Sequence, residues 1–238
     1  MQLARRKGLT RILRASRGIL LRWQRALRKV RIRAVFRKYA EFTMVPERKG
    51  IANLLLCQER APAGGCIVEC GVWRGGMSAA MADVLPGRAH FLFDSFEGLP
   101  PANEIDGKAA LDWQRDKNSP SYFDNCRAER SYAEKAMRMS AAKEFKLIQG
   151  WFNQTLPGLV LPEPIAVLRL DADWYESTMD CLNTLYPQVM PGGIIIIDDY
   201  YTWDGCSRAV HDYLSMHKTA DRIYQFRGVP YLIKPRSN

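Results

Sequence analysis

The 238-residue chain lacks several features that would assign it to a familiar class of protein. It has no run of 18 apolar residues, so no transmembrane helix is expected. Its six cysteines form no C-x-x-C pair, which argues against a zinc ribbon or a disulfide scaffold and favours the reducing cytoplasm. Its three histidines form no H-x-H or H-E-x-x-H pair, so a histidine-rich metal site is not expected. The overall composition, with 47% hydrophobic and 25% charged residues, is typical of a globular protein.

Acidic residues are missing from the first 40 positions, although these hold 14 of the chain's 35 lysines and arginines. The remainder of the chain therefore has 21 basic and 25 acidic residues, so the net charge of +10 comes from the N-terminal segment. A nucleic-acid enzyme more often carries its positive charge around its own site. No nucleic-acid partner is therefore expected for the mildly acidic body.

Apolar residues recur at steps of three and four between Leu9 and Val30, among arginines, and this pattern predicts a helix. Three interpretations stay open: a basic helix on an anionic membrane or surface polymer, an organellar targeting leader, or a helix that covers its own domain or a sister subunit of a homo-oligomer. Basic residues interrupt every apolar stretch, so no secretory signal is expected. We divide the chain into a helical extension over 1–40 and one catalytic domain over 41–238.

Apolar runs and helical patterns alternate along the body. Strands are expected over 66–70, 89–94, 145–149, 165–170 and 194–197, and a closing hairpin joins 223–226 to 231–233. Helices are expected over 46–58, 77–84, 129–142, 178–189 and 206–216. The polar stretch 100–128 is predicted to be an irregular insertion over a site, and 190–193 a turn. This alternation predicts an α/β fold with a mostly parallel sheet and a closing antiparallel hairpin.

The first predicted strand ends in Glu69, Gly71 and Gly75, spaced as E-x-G-x-x-x-G. This is not the G-x-G-x-x-G of dinucleotide enzymes, and it lacks the Lys-Ser/Thr ending of a P-loop. These absences favour a cofactor without a pyrophosphate. S-adenosylmethionine is the candidate, since its cationic amino-acid end suits Glu69. A glycine-containing turn with no ligand explains this motif equally well.

Acidic residues also follow three further strands. Asp94 ends the second strand, where a carboxylate can accept hydrogen bonds from the two hydroxyls of a ribose or can cap a turn. Asp171 and Asp173 follow one later strand, and Asp198 and Asp199 follow another. Carboxylates crowded at one sheet edge repel one another unless a cation neutralises them, and an oxygen-only set indicates Mg²⁺ or Ca²⁺. Alternatively, one acid caps a helix and the others are solvated.

Together these motifs make the chain similar to the macrocin O-methyltransferase family, the metal-dependent sugar O-methyltransferases of macrolide and aminocoumarin biosynthesis. The matching segments are 43–46, 68–76, 93–100, 150–157, 168–177 and 191–200. They are spread over roughly 43–233, and the basic residues 1–40 are expected to fall outside the resemblance.

The resemblance implies a class I methyltransferase fold, which is Rossmann-like, with S-adenosylmethionine and Mg²⁺ as cofactors. The positions that match the family's cofactor contacts are Thr43, Met44, Glu69, Gly71, Val72, Trp73, Arg74, Gly75, Asp94, Ser95, Phe96, Glu97 and Asp171, with Ser131 and Trp151 as further candidates. The metal ligands match Asp171, Asp198 and Asp199. The general base matches Asp173, since no histidine stands beside the acids here.

The expected function is Mg²⁺-dependent transfer of a methyl group to a hydroxyl, on a sugar of a glycosylated natural product or a surface glycan. The expected location is the cytoplasm, with residues 1–38 in peripheral contact with an anionic membrane. Two rival functions are a catalytically dead binding protein on the same fold and an NAD-dependent oxidoreductase. The first would be expected to lose its acids, and the second would need the missing G-x-G-x-x-G.

Overall fold

The computed structural model describes residues 23–24 and 26–236 of the chain. The predicted N-terminal stripe from Leu9 to Leu20 lies outside these residues.

Seven strands form one sheet. They are β1 (Cys66–Cys70), β2 (Ala89–Asp94), β3 (Glu144–Gln149), β4 (Ile165–Leu170), β5 (Val189–Ile197), β6 (Tyr224–Phe226) and β7 (Val229–Ile233), in the spatial order β3-β2-β1-β4-β5-β7-β6. The first five strands are parallel, whereas β7 is antiparallel to β5 and to β6. The predicted mostly parallel sheet with a closing antiparallel hairpin is confirmed.

Helices connect these strands. They are α1 (26–38), α2 (Glu47–Arg60), α3 (Gly76–Val84), α4 (Lys108–Arg115), α5 (Arg130–Arg138), α6 (Phe152–Thr155), α7 (Tyr175–Leu185) and α8 (Asp204–Met216). Short 3₁₀ turns cover Ala40–Phe42, Glu104–Asp106, Phe123–Cys126 and Tyr186–Gln188. Pro46 directly precedes α2, as its fixed φ allows at a helix start.

Side chains on both faces of the sheet are buried, which is why β4 and β5 read as nearly continuous apolar runs. Ile67 and Val167 belong to the hydrophobic cluster that includes residues of α2 and α3. Val68 and Leu168, one residue further along each strand, belong to the cluster that includes residues of α7 and α8. This alternation gives two core layers, one on each side of the sheet.

The central strands end at the same level. Cys70 of β1 pairs with Phe93 of β2 and with Leu170 of β4, and Leu170 pairs with Ile197 of β5. The residues that follow these four strands therefore meet at one edge of the sheet, which is where open α/β sheets bind their ligands.

The helix α1 has two different halves. Ile32 and Phe36 are buried in the core of the body. Leu27 and Val30 are instead 66% and 67% exposed, as is Trp23 before the helix, at 66%. The last turns of α1 thus cover the helix's own domain, and the predicted division at residue 40 stays a prediction.

The structure differs from the sequence prediction most clearly in two places. The stretch 100–128 was expected to be irregular, but it contains the helix α4, which carries Trp113 against Trp174. The expected turn at 190–193 belongs to β5, because Gly192 and Gly193 exchange backbone hydrogen bonds with Lys234. Both errors concern contacts with residues distant in the sequence.

All six cysteines lie within the described residues and are free thiols. No helix in the described part of the chain is both long enough and apolar enough to cross a membrane.

Candidate active site

A cavity opens at the carboxyl ends of β1, β2, β4 and β5. Its empty space, including the open mouth, is about 920 Å³. The strand ends contribute Gly71, Trp73, Asp94, Ser95, Asp171, Ala172, Asp173, Asp198 and Asp199 to its wall. The remaining lining residues are Met44, Val45, Pro46, Gly98, Leu99, Pro100, Cys126, Gly150, Trp151, Phe152 and Ser177.

The two glycines of the first motif are required by the turn itself. A Cβ at Gly71 would lie 1.8 Å from the carbonyl oxygen of Asp171, and φ is +80°. Gly75 has φ +82°, and a Cβ there would lie 2.8 Å from the Cα of Ala133. The motif therefore brings the ends of β1 and β4 together, whatever ligand the cavity takes.

Glu69 lies beneath the cavity rather than in its wall. Its side chain is 1% exposed, its Oε1 accepts a hydrogen bond from Arg169 Nη1 at 2.6 Å, and its Oε2 accepts one from Ser78. Burial raises the pKa of Glu69 to about 7, although Arg169 opposes the shift. Both oxygens already have protein partners, so a contact between Glu69 and the cofactor stays a prediction.

Asp94 accepts hydrogen bonds from the backbone on both carboxylate oxygens. Its Oδ2 accepts from the N–H groups of Val72 and Trp73 at 2.6 and 2.8 Å, and its Oδ1 accepts from Phe96 N–H at 2.6 Å. Burial raises the pKa of Asp94, and the three backbone hydrogen bonds oppose that rise. The capping role is thus confirmed. A ribose contact stays a prediction, for which Asp94 is placed correctly in the cavity wall.

The three predicted metal ligands form a close cluster. One carboxylate oxygen from each of Asp171, Asp198 and Asp199 lies within 4.8 Å of the others. Burial, followed by the charge of Asp173, raises the pKa of Asp199 well above its ordinary value. Burial likewise raises the pKa of Asp171, against the effect of Arg169. The cluster therefore holds more negative charge than its surroundings stabilise.

Two cations that were not predicted from the sequence lie beside the cluster, the buried Arg169 and Lys49, whose side chain is 29% exposed. Arg169 is 1% exposed and pairs with Glu69, with Asp171 at 2.8 Å and with Asp198 at 2.7 Å. Lys49 of α2 pairs with Asp198 Oδ2 at 2.5 Å. Burial alone raises the pKa of Asp198, but Arg169 and Lys49 outweigh it and hold that pKa below its ordinary value. Arg169 could have been recognised from the sequence, because it interrupts the apolar run of β4 and a buried charge requires partners. No such signal in the sequence marks Lys49.

Asp173 lies beside the cluster in an unusual backbone conformation. Its φ is +56°, which is uncommon for a residue other than glycine. Its Oδ1 accepts a hydrogen bond from Trp203 Nε1 at 2.9 Å, and its N–H donates to Asp199 Oδ2 at 3.3 Å. Burial, together with the charge of Asp171, raises the pKa of Asp173 to about 8. A carboxylate with such a pKa can accept a proton near neutral pH.

The donor set fits Mg²⁺. All of its ligand atoms are carboxylate oxygens, which this cation prefers. Among the described residues at this edge, five carboxylates, counting Glu69 and Asp173, face only two cations, the buried Arg169 and the half-buried Lys49. A divalent cation would reduce that excess of negative charge.

The structure brings most of the predicted site residues to one cavity, but not all of them. Those in its wall are Met44, Gly71, Trp73, Asp94, Ser95, Trp151, Asp171, Asp173, Asp198 and Asp199. Those outside its wall are Thr43, Glu69, Val72, Arg74, Gly75, Phe96, Glu97 and Ser131. Ser131 lies on α5, in a separate surface depression, with its hydroxyl bonded to Glu129.

The sequence also did not reveal that Trp113, Trp174 and Trp203 form a cluster beside Asp173. The ring centroid of Trp203 lies 5.2 Å from that of Trp174 and 5.9 Å from that of Trp113. Trp174 is 2% exposed and its indole N–H donates to the Pro100 carbonyl, so it packs within the protein.

Comparison with protein families matches residues 11–229 to the macrocin O-methyltransferase family. The match begins at residue 11, so the expectation that residues 1–40 fall outside the family is wrong. The last turns of α1, which pack into the core, belong to the matched region.

Curated relatives are similar over most of their length. An O-methyltransferase of Streptomyces olivaceus that acts on the 4′ position of a tetracenomycin rhamnoside is 36% identical over 76% of this chain and 70% of its own. The demethyldecarbamoylnovobiocin O-methyltransferase of Streptomyces niveus is 35% identical over 74% of this chain and 69% of its own. The mycinamicin III 3″-O-methyltransferase of Micromonospora griseorubida is 33% identical.

Solved structures show the same fold. The O-methyltransferase NovP superimposes with a TM-score of 0.66 at 29% identity, covering 82% of this chain and 83% of that one. The calicheamicin methyltransferase CalS11 superimposes with a TM-score of 0.59 at 20% identity, which supports the fold alone. The chain thus belongs to the macrocin O-methyltransferase family and is an S-adenosylmethionine-dependent O-methyltransferase with a class I fold.

Proposed function

We propose that this O-methyltransferase requires Mg²⁺ and methylates a hydroxyl group of a sugar, on a glycosylated natural product or a surface glycan. The observation that carries the proposal is the cluster of Asp171, Asp198 and Asp199 in the cavity wall, with Asp173 beside it. Its excess of negative charge is what a divalent-cation site requires.

When bound, S-adenosylmethionine supplies an electrophilic methyl group and Mg²⁺ lowers the pKa of the acceptor hydroxyl. The three clustered aspartates would hold the metal. Met44, Gly71, Trp73 and Asp94, which line the cavity around the ends of β1 and β2, would hold the cofactor. This arrangement separates the cofactor side of the cavity from its acidic side, so the acceptor hydroxyl would lie between them.

In this proposal Asp173 accepts the proton of the acceptor hydroxyl. Its raised pKa suits a base that works near neutral pH, and its place in the cavity wall lets it reach an acceptor. Leu99, Pro100 and Phe152 supply apolar wall around it, which excludes water and restricts how the acceptor can lie.

The sugar acceptor is inferred from the relatives, whose names place their methyl groups on sugar hydroxyls or on glycosylated products. The wall of the cavity agrees with such an acceptor, because Trp151 contributes an aromatic side chain to it. We place the reaction in the cytoplasm, which suits six free thiols.

Methyl transfer from labelled S-adenosylmethionine tests the proposal. The acceptors would be those of the relatives: the demethyl tetracenomycin rhamnoside, demethyldecarbamoylnovobiocin and mycinamicin III. We expect turnover of at least one, loss of turnover with excess chelator and recovery with Mg²⁺. Full activity in chelator would contradict the metal requirement, and binding of NAD in place of S-adenosylmethionine by calorimetry would contradict the chemistry.

The role of Asp173 is tested by D173N, with D116N as a matched exposed control. We expect D173N to lower kcat by about 100-fold or more, because no proton acceptor remains, while D116N keeps wild-type activity. A D173N variant as active as the control would remove Asp173 from the mechanism.

We also propose that the N-terminal segment contacts an anionic membrane. Leu27 and Val30 of α1 and Trp23 before it are exposed, in a segment without acidic residues. Replacing all three by serine should lower co-sedimentation with phosphatidylserine vesicles and leave turnover of the identified acceptor unchanged. Equal vesicle binding by the variant would contradict the proposal and leave self-association or intradomain packing as the explanation.

A further inference from the structure

Among the described residues, Trp203 is the one whose side chain donates a hydrogen bond to the carboxylate of Asp173. Its Nε1–H donates to Asp173 Oδ1 at 2.9 Å. The hydrogen bond joins two segments that lie 30 positions apart, at the ends of neighbouring strands β4 and β5. It occupies one of the two carboxylate oxygens and leaves the other for a different partner.

The indole of Trp203 is held in place from two directions. Its backbone N–H donates to the carbonyl of Asp199 at 3.0 Å, which fixes the start of α8 against the metal cluster. Its ring packs between Trp174 and Trp113, with centroids 5.2 and 5.9 Å away. A donor that is fixed by both backbone and ring packing can hold an acceptor group in one orientation.

Asp173 needs such an external constraint. Its φ of +56° is sparsely populated for a non-glycine residue, and its backbone N–H reaches Asp199 Oδ2 only at 3.3 Å. The Trp203 hydrogen bond supplies this constraint, because it holds Asp173 Oδ1 at 2.9 Å from the indole nitrogen.

We propose that Trp203 is a positioning residue for the reaction: its indole N–H holds Asp173 Oδ1, so that the second oxygen is available to take the proton of the acceptor hydroxyl. This inference rests on the proposed role of Asp173 as the base. Trp203, which directly precedes α8, does not line the cavity. Its function is therefore not visible from the cavity wall, because it acts through Asp173.

The hydrogen bond is tested without an acceptor by the indole ¹H–¹⁵N spectrum of the full-length protein. The chain has six tryptophans, and the Trp203 signal is the one that W203F removes. We expect this signal to shift upfield in D173A, while the Trp113 signal, assigned by W113F, stays in place. A Trp203 signal that does not move in D173A overturns the proposal, whatever the enzyme's activity.

The kinetic test compares W203F with W113F, using the relative-derived acceptor that the wild-type protein methylates. W113F is the matched control, because it also removes one indole N–H from the same cluster, but one that bonds the Ser121 carbonyl. We expect W203F to lower kcat by about tenfold or more, with KM for S-adenosylmethionine changed less than about twofold. W113F should keep the wild-type kcat. Equal kcat in W203F and wild type overturns the proposal.

A double-mutant cycle separates this inference from the proposed function. If Trp203 acts through Asp173, adding W203F to D173N should cause no further loss of the residual rate. A further tenfold loss would show that Trp203 acts elsewhere and overturn the proposal. If D173N itself is fully active, the proposed base is wrong and the positioning role falls with it, whereas an active W203F beside an inactive D173N rejects the positioning role alone.

Discussion

The two pairs of strand ends that border the cavity place their acidic residues in different surroundings. Asp94, after β2, accepts three backbone hydrogen bonds from the turns beside it. Asp171 and Asp199, after β4 and β5, face other carboxylates, whose charges add to the rise that burial causes in their pKa values. The first carboxylate is therefore satisfied by the folded chain, and the others need a cation that the chain does not fully supply. An acid at a strand end can thus have a structural role, a functional role or both.

The largest effect on stability is expected from replacing Arg169, the buried cation beside the clustered aspartates. R169M should lower the free energy of unfolding by about 3–5 kcal/mol, since it leaves three paired carboxylates without their shared partner. K146M removes a cation from β3, where the side chain is exposed, and should change stability by less than about 0.5 kcal/mol. Urea denaturation measures both. Equal stability of R169M and K146M would show that the acidic side does not depend on Arg169.

Asp199 should matter for activity rather than for folding. D199N should lower kcat by about 100-fold through loss of a metal ligand. It should leave the free energy of unfolding unchanged or raise it, since one of several repelling charges is removed. Addition of Mg²⁺ should raise the Tm of the wild-type protein but not of D199N. If D199N lowered the free energy of unfolding as much as D94N does, the distinction between the two sides of the cavity would be wrong.

Asp94 should show the reverse pattern. D94N should lower the free energy of unfolding by about 1–3 kcal/mol, because an amide cannot accept all three backbone hydrogen bonds. Its Tm should still rise with Mg²⁺, as the metal cluster is intact. E97Q, a change at an exposed neighbouring acid, is the control and should be neutral. Loss of the Mg²⁺ response in D94N would contradict the separation of the two sides.

A further effect is expected in the pH dependence of stability without metal. The pKa of Asp173 is about 8 in the folded chain and near 3.8 when unfolded, so the folded state binds the proton more tightly. Its contribution to stability is fully present below about pH 3.8, and it is lost as the pH rises to about 8. In excess chelator, D173N should flatten this decline between those limits, as measured by urea denaturation at several pH values. An identical decline in D173N would assign it to other groups of the cluster.

Much of the sheet could be predicted because its signal is local. The strands over 66–70, 89–94 and 165–170 have the predicted bounds, since each is a short apolar run next to a glycine or an acid. The helix α4 was missed, because it is only eight residues long and lies within a polar stretch. Its Trp113 packs on Trp174 and Trp203, which are 60 or more positions away.

The residues of the candidate site were likewise predicted only in part. The sequence placed Asp171, Asp198 and Asp199 at neighbouring strand ends, and the structure confirms that they meet. It did not reveal Lys49 or Trp203, because their partners Asp198 and Asp173 lie 149 and 30 positions away in the sequence. These contacts depend on which strands are neighbours and on where α2 and α8 begin.

By itself, the sequence determined the class of fold, the family and the acidic residues at the strand ends, since strand periodicity and short motifs are local properties of a chain. Only the tertiary structure decided which acid the backbone satisfies and which acids stay crowded. That outcome depends on the positions of donors and cations from other segments: the N–H groups of Val72 and Trp73 for Asp94, and Arg169 and Lys49 for Asp198. The energy of a buried carboxylate is set by its neighbours in space, and a sequence does not state which these are.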